Sequence, residues 1–156
     1  MEKNQKEQNW NRVEEIGLVY KTKVKNSERP YIRCSQDAYQ LLLANWDINT
    51  IDLFEESKII LLNQSNRVLS LFAASKGGIT GTVMDPRLIF TAALKRGACN
   101  LMLAHNHPSG NLKPSRPDEE LTYKCRDAGR LLDIKVIDHI IVSSEGYFSF
   151  ADSGLI

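Results

Sequence analysis

The residues from His105 to Asp118, HNHPSGNLKPSRPD, concentrate side chains that bind divalent metals. They follow a short apolar run, CNLMLA, whose composition predicts a buried strand. In an extended chain, side chains two residues apart point the same way, so His105 and His107 can present two imidazoles to one point in space. Two neutral imidazoles that converge form half of a metal site.

Asp118 is the predicted third ligand. It lies one turn before Leu121, on the apolar and inward face of a predicted helix, where a carboxylate needs a partner. The same residues also have a structural explanation. Ser115 and Asp118 have the spacing of a capping box, with Pro117 in the first turn of the helix. The two roles are compatible, because a serine hydroxyl at a helix N-terminus beside a metal can also donate to a developing oxyanion.

Two histidines and one carboxylate form the ligand set of an open zinc site. The fourth position then holds water, whose pKa zinc lowers to about 7. That water needs a proton acceptor that lies near the metal without binding it. Glu55 and Glu56, in FEESKIILL, are the candidates. Two glutamates at the start of a strand are more often simply solvated, and the residues alone leave the choice between them open.

The elements that position these residues follow from local patterns of apolar, capping and turn residues. Helices alternate with strands, which predicts an α/β or α+β domain with a central mixed sheet and helices on its faces. The predicted elements are a helix over 36–46 with Ser35 as N-cap, a hairpin that turns around Asn63 to Asn66, a helix from Asp85 to Gly97, the strand CNLMLA, a third helix with an apolar stripe of Leu121, Cys125, Ala128 and Leu132, and strands in IKVIDHIIVS and YFSF.

Length and composition predict one soluble domain. The chain has 156 residues, of which 42% are hydrophobic and 25% charged, as is usual for globular proteins. Residues 1–12 are predicted to be a flexible polar arm, and residues 13–34 an extension with a strand in VEEIGLVYKTKV. No secretory signal or membrane-spanning run is found, so we expect a cytoplasmic protein without membrane contact.

Charge and cysteine content narrow the possible functions. A net charge of +1 argues against a protein whose main task is to bind nucleic acid through its phosphates. The three cysteines Cys34, Cys99 and Cys125 have no Cys-x-x-Cys spacing. They are predicted to be buried, reduced thiols rather than disulfides or zinc ligands.

The motif His-x-His, ten residues, Asp, with a serine three residues before the Asp, resembles that of the JAB/MPN (JAMM) metalloprotease-like domains. The longer strings LAHNHPSGNLKPSRPDEELT, GITGTVMDPRLIF and IDHIIVSSEGYFSF closely resemble the bacterial RadC family, traditionally labelled DNA repair proteins. The resemblance covers residues 35–156. It implies a cytidine-deaminase-like three-layer α/β fold and a JAB/MPN zinc hydrolase domain over that range.

The resemblance also implies roles for individual residues. His105, His107 and Asp118 would bind Zn²⁺ together with one water. The catalytic glutamate of JAMM proteins opens the first core strand, and that position falls on Glu55, with Glu56 as second choice. Ser115 would stabilise the tetrahedral intermediate. The expected substrate is a peptide or isopeptide amide bond in an unidentified peptide or protein.

The chain departs from the family pattern at two places. Many RadC-like proteins carry an N-terminal helix-hairpin-helix module that is associated with DNA binding. Residues 1–34 are too few to hold one, so a nucleic-acid partner is the weaker expectation. Family members usually have an aromatic residue near position 57, where this chain has Ser57. The alignment around Glu55 is therefore looser than around the ligands.

Other functions remain compatible with the sequence. One is a metal-dependent nuclease or phosphoesterase, although many such enzymes use two metals. Another is a non-catalytic module that keeps zinc for structure and binds a partner. A deaminase would need His-x-Glu and Pro-Cys-x-x-Cys, which are missing from the sequence. His139, in IDHIIV, is predicted to be a hydrogen-bonded core histidine, because a fourth protein ligand would close a catalytic zinc site.

Overall fold

The computed structural model describes residues 13–15, 17–19, 21–77 and 84–156. The polar arm predicted for residues 1–12 lies outside this part of the chain. A 3₁₀ turn at Asn26–Glu28 precedes the regular elements. These are α1 (Ser35–Ala44), β1 (Glu56–Leu62), β2 (Val68–Lys76), α2 (Pro86–Arg96), β3 (Asn100–Asn106), α3 (Arg116–Leu131), β4 (Lys135–Val142) and β5 (Tyr147–Ser149).

The five strands form one mixed sheet in the order β2-β1-β3-β4-β5. Strand β1 pairs antiparallel with both β2 and β3, and β4 pairs antiparallel with β5. Strands β3 and β4 are parallel, and α3 forms the crossover connection that a parallel pair requires. The predicted α/β class with a central mixed sheet is therefore confirmed.

The sheet separates two hydrophobic cores, because alternate residues of a strand face opposite sides. On β1, Ile60 and Leu62 pack with α1, whereas Ile59 and Leu61 pack with α2 and α3. The same alternation holds on β3. The fold thus has three layers, and adjacent residues at a strand end face different layers.

Local signals define several elements as expected. Helix α2 begins after Asp85, whose side chain accepts a hydrogen bond from the Arg87 amide, and it ends at Gly97 with φ of 66°. The left-handed conformation at Gly97 favours glycine. The hairpin of β1 and β2 also turns where predicted. These predictions are confirmed.

Other local predictions are wrong. Helix α1 starts at Ser35 with Cys34 as N-cap, because the Ser35 hydroxyl instead contacts Tyr147 and Asp152. Cys34 is exposed rather than buried. Leu132 follows the last residue of α3 and is 43% exposed, so the stripe on that helix ends before it.

The strand predicted within VEEIGLVYKTKV is also not formed, as far as residues 13–15, 17–19 and 21–24 are described. Leu18 is 99% exposed there, and a strand needs a partner to satisfy its backbone. In the described chain before α1, the pairing that does form is a single bridge between Tyr31 and Arg67. Among the described helices, none has the length and apolar character needed to cross a membrane.

Candidate metal centre

The C-terminal end of β3 and the first turn of α3 bring His105, His107 and Asp118 together. The Nε2 atoms of the two histidines are 3.0 Å apart. Asp118 Oδ1 lies 3.2 Å from His105 Nε2, and Oδ2 lies 3.7 Å from His107 Nε2. One ligand atom from each of the three side chains lies within 4.8 Å of the others, so the group could hold a metal ion.

The start of α3 fixes the Asp118 carboxylate. Ser115 and Asp118 form the predicted capping box, in which the Ser115 side chain accepts from the Asp118 amide. Asp118 Oδ2 accepts hydrogen bonds from the backbone N–H of Ser115 at 2.7 Å and from its hydroxyl at 2.6 Å. The cap therefore holds Oδ2 and leaves Oδ1 directed at His105. The capping role and the predicted ligand role therefore meet on Asp118.

A backbone carbonyl sets the tautomer of His107. Its Nδ1 lies 2.5 Å from the carbonyl oxygen of Asn111, in the loop after β3. Since a carbonyl can only accept, Nδ1 carries the proton and donates it. A neutral His107 therefore presents a proton-free Nε2 to the site.

A buried chain of hydrogen bonds extends from His105 to α3. His105 Nδ1 lies 2.8 Å from His139 Nε2, and His139 Nδ1 lies 2.6 Å from the Thr122 hydroxyl. Thr122 donates its single hydroxyl proton to the Asp118 carbonyl oxygen at 2.6 Å. Thr122 then accepts from His139, which in turn accepts from His105. With this order every donor has an acceptor, and His105 Nε2 is free of a proton.

His139 is suited to this position because it stays neutral. It is fully buried, and desolvation, with a smaller contribution from the nearby His105, holds its pKa well below the usual value. Its ring also stacks on Phe150, with centroids 4.8 Å apart. The prediction that His139 is a hydrogen-bonded core histidine is confirmed.

The donor set fits a divalent metal. Burial alone would raise the pKa of Asp118, but when His105 Nε2 carries a proton, its hydrogen bond and charge, together with the Ser115 hydrogen bonds, outweigh burial and hold that pKa well below the usual value. A metal ion would take the place of that proton. The site therefore offers an ionised carboxylate and two imidazole nitrogens whose opposite ring nitrogens are already engaged. Metal-binding histidines in proteins are held in this way.

Glu55 and Glu56 lie on opposite faces of the sheet. The register pairs Ser57 with His105, so Glu55, two residues earlier, lies beside His107. Glu55 lines a cavity of about 300 Å³ together with His107, Ser115 and Lys113. The cavity is open to solvent along the loop after β3, and its other lining residues are Pro108, Ser109 and Asn111.

Glu56 faces α1 instead. Its carboxylate lies 3.1 Å from Lys76 Nζ and 3.9 Å from Lys58 Nζ, and it accepts from the Thr50 hydroxyl at 3.3 Å. Lys58 in turn lies over the Trp46 ring, 4.9 Å from its centroid. Glu56 is thus occupied by partners on the side of the sheet away from the histidines.

Sequence reasoning missed Thr122 and Asn111 at this site. Thr122 had a detectable signal, since it lies four residues after Asp118 and is a polar residue on the inward face of α3. Asn111 had none, because it contributes its backbone carbonyl rather than its side chain. The three predicted ligands lie close together, as the spacing of the motif suggested.

The chain is similar to proteins of a known family. A family model described as a RadC-like JAB domain matches residues 32–155. A UPF0758 protein of Flavobacterium johnsoniae is 48% identical over 101 residues, which cover 65% of this chain and 44% of the relative. A UPF0758 protein of Rubrobacter xylanophilus is 38% identical over 135 residues, covering 85% of this chain and 56% of the relative. The chain thus spans about half the length of these curated relatives.

Proposed function

The chain belongs to the RadC-like JAB domain family, and from this membership and the site geometry we propose that it is a zinc-dependent hydrolase of peptide or isopeptide amide bonds. One observation carries the proposal. His107, one of three residues able to hold a metal, lines the same cavity as Glu55, a carboxylate that is not part of that His-His-Asp group. A metal site with a separate base is the arrangement that water-dependent amide cleavage needs.

His105, His107 and Asp118 would hold the zinc ion. Two imidazoles and one carboxylate are a known ligand set of catalytic zinc sites, which keep one position open. When bound there, zinc lowers the pKa of a coordinated water and polarises a carbonyl group. The other parts of the reaction belong to residues of the chain.

Glu55 acts as general base and then as general acid. Its carboxylate takes a proton from the attacking water, whose oxygen forms a bond to the amide carbon. It then gives that proton to the amine nitrogen as the C–N bond breaks, so the products are a carboxylate and a free amine. Glu55 is half-buried at the cavity wall, which leaves its carboxylate accessible to such a water.

Ser115 stabilises the oxyanion of the tetrahedral intermediate. Its hydroxyl donates to Asp118 Oδ2 in this structure, and a hydroxyl has only one proton to donate. In the reaction that proton turns to the substrate oxygen. The backbone N–H of Ser115 continues to hold Asp118 Oδ2, so the ligand keeps its orientation.

The site favours a protein or peptide tail over nucleic acid as substrate. The cavity is small and is lined by both a glutamate and a lysine. It therefore lacks the uniformly positive lining that phosphate backbones require. A small cavity open to solvent suits an extended chain with a single amide bond at the metal.

The pair Glu55→Gln and Glu56→Gln tests the proposal. Zinc-loaded protein is incubated with peptide and isopeptide substrates, and zinc content is measured in parallel. We expect Glu55→Gln to keep its zinc and to lose about 10²–10⁴-fold in kcat. Glu56→Gln should keep both zinc and activity.

Three results would overturn the proposal. One is a purified protein that binds no zinc, and another is equal activity in the two variants. The third is zinc-dependent nicking of DNA without cleavage of any amide, which would assign the site to phosphodiester hydrolysis.

A further inference from the structure

Asn106, which stands between the two histidine ligands, contacts the segment that carries Glu55. We propose that Asn106 is the positioning residue for this glutamate, an inference that rests on the proposed function. Since neighbouring strand residues face opposite sides, Asn106 points away from the metal site and toward α1. It can therefore act on catalysis only through the segment that it contacts.

The Asn106 side chain makes three hydrogen bonds to the backbone before and at the start of β1. Its oxygen accepts from the N–H of Glu56 at 2.7 Å. Its amide nitrogen donates to the carbonyl oxygens of Phe54 at 2.8 Å and of Ile51 at 2.5 Å. Asn106 is fully buried, so water cannot replace these partners.

The three contacts bracket Glu55. Phe54 precedes it and Glu56 follows it, so both of its backbone neighbours are held by one side chain. The carbonyl of Glu55 is held separately by the Gly77 N–H at 2.8 Å. With its backbone fixed at these points, the Glu55 side chain leaves the chain toward the cavity.

Only an amide matches this set of partners. One backbone donor and two backbone acceptors face the side chain, and a carboxamide offers one acceptor and two donor hydrogens. Aspartate lacks the donors, and alanine lacks all three groups. Loss of the amide leaves buried backbone groups without partners, which destabilises the segment before β1. The segment before β1 must then move to reach water.

The link also connects the base to the ligands. His105 and His107 are the covalent neighbours of Asn106, so one three-residue stretch sets both the imidazoles and the position of Glu55. The distance between a base and the attacking water is sensitive, because a misplacement of about 1 Å can cost on the order of 10²-fold in rate. Asn106 thus fixes the distance from the Glu55 carboxylate to the attacking water, which neither His105 nor His107 fixes.

The test compares Asn106→Ala with Asn100→Ala. Asn100 lies at the other end of β3, and its side chain holds the turn between β1 and β2 through Asn66 Oδ1 at 2.8 Å and the Asn63 carbonyl at 3.4 Å. We expect Asn106→Ala to lose about 10–100-fold in kcat per zinc-loaded molecule, with KM and zinc content unchanged. Asn100→Ala should lose stability but keep its kcat.

Amide hydrogen exchange provides a readout that does not depend on activity. In Asn106→Ala the Glu56 N–H loses its acceptor and should exchange faster, while the Ile60 N–H inside β1 stays protected. If Asn106→Ala fails to fold, Asn106→Asp replaces it, since aspartate has the same shape and keeps the acceptor for Glu56. For that variant we expect the same fall in kcat, because the carbonyls of Phe54 and Ile51 lose their donors.

The outcomes separate this inference from the proposed function. If Glu55→Gln keeps full activity, the proposed function fails. If Glu55→Gln is inactive but Asn106→Ala and Asn106→Asp keep the wild-type kcat, only the positioning role fails. A fall in kcat that merely follows zinc loss would also overturn it, because Asn106 would then act on the ligands and not on Glu55.

Discussion

Glu55 and Glu56 lie on opposite faces of the sheet, where β1 starts and β3 ends, and their surroundings differ. On the α3 face, Glu55 shares a solvent-open cavity with His107, a member of the candidate metal group, and with both a serine and a lysine. On the α1 face, Glu56 is 8% exposed and is paired with two lysines. Two adjacent residues therefore have different surroundings: the Glu55 carboxylate lies in an open cavity, and the Glu56 carboxylate forms ion pairs with lysines.

Near this strand end, the face on which a side chain lies is set by whether its position along the strand is odd or even. Alternate residues face opposite layers, so two adjacent glutamates are divided between the face that carries the candidate metal group and the face that packs against α1. The same division places Asn106 behind the two histidines. Matched substitutions on the two faces therefore test whether metal binding and acid sensitivity depend on the α3 face alone.

The largest difference in zinc affinity is expected between His107→Ala and Lys58→Ala. His107 belongs to the candidate metal group on the α3 face, whereas Lys58 lies on the α1 face of the neighbouring strand. Loss of one ligand in three should weaken zinc binding by more than the roughly 10–100-fold that loss of an outer partner costs. Lys58→Ala should bind zinc as the wild type does.

Competition with a chromophoric chelator measures both affinities. Unchanged zinc affinity in His107→Ala would place the metal elsewhere. A comparable loss in Lys58→Ala would remove the distinction between the faces.

A smaller contrast is expected between Thr122→Val and Thr50→Val. Thr122 accepts a hydrogen bond from His139 Nδ1 on the α3 face, and Thr50 donates a hydrogen bond to Glu56 on the α1 face. Valine has the shape of threonine without its hydroxyl, so Thr122→Val leaves His139 Nδ1 without a partner. The His105 tautomer that frees Nε2 is then less well held, and zinc affinity should fall about 10–100-fold.

The same chelator competition applies to this pair. Thr50→Val should leave zinc affinity unchanged. Equal affinities in the two threonine variants would show that the chain of hydrogen bonds from Thr122 to His105 does not affect the metal.

The sequence predicted those elements whose signals are local. Helix α2 carries its cap at Asp85 and its end at Gly97 within one short segment, and the hairpin turn is equally compact. The grouping of His105, His107 and Asp118 was also predictable, since two of them share a strand end and the third opens the next helix. In each case a few adjacent residues determine the outcome.

What the sequence left open depends on contacts between distant residues. The face on which Glu55 lies is set by the register of β1 against β3, which pairs Ser57 with His105. The hydrogen bond from His105 to His139 needs the parallel pairing of β3 with β4, where Leu103 lies opposite His139. Helix α1 starts one residue earlier than predicted, because the Ser35 hydroxyl contacts Tyr147 near the end of the chain instead of capping the helix. No local pattern encodes these registers.

The smallest contrast concerns the stability of the metal-free protein at acid pH. All three histidines of the chain lie on the α3 face, and the pKa of His139 is held well below its usual value, by burial above all. The folded state thus keeps His139 neutral at pH values where the unfolded chain protonates it, below about pH 6.5. The unfolded state then binds more protons, so the free energy of unfolding falls as pH decreases, by up to about 1.4 kcal/mol per pH unit for this group.

His139→Phe removes this term while keeping a ring that can stack on Phe150. Its free energy of unfolding, measured by urea denaturation without metal, should be lower than that of the wild type at pH 7.5, because His105 and Thr122 lose their partner. Between pH 7.5 and pH 5.5, however, it should fall by about 1 kcal/mol less than that of the wild type. Lys58→Ala, on the α1 face, should keep the wild-type dependence. Equal pH dependence in His139→Phe and the wild type would mean that His139 takes up a proton in the folded state, so that the acid sensitivity has another origin than this face of the sheet.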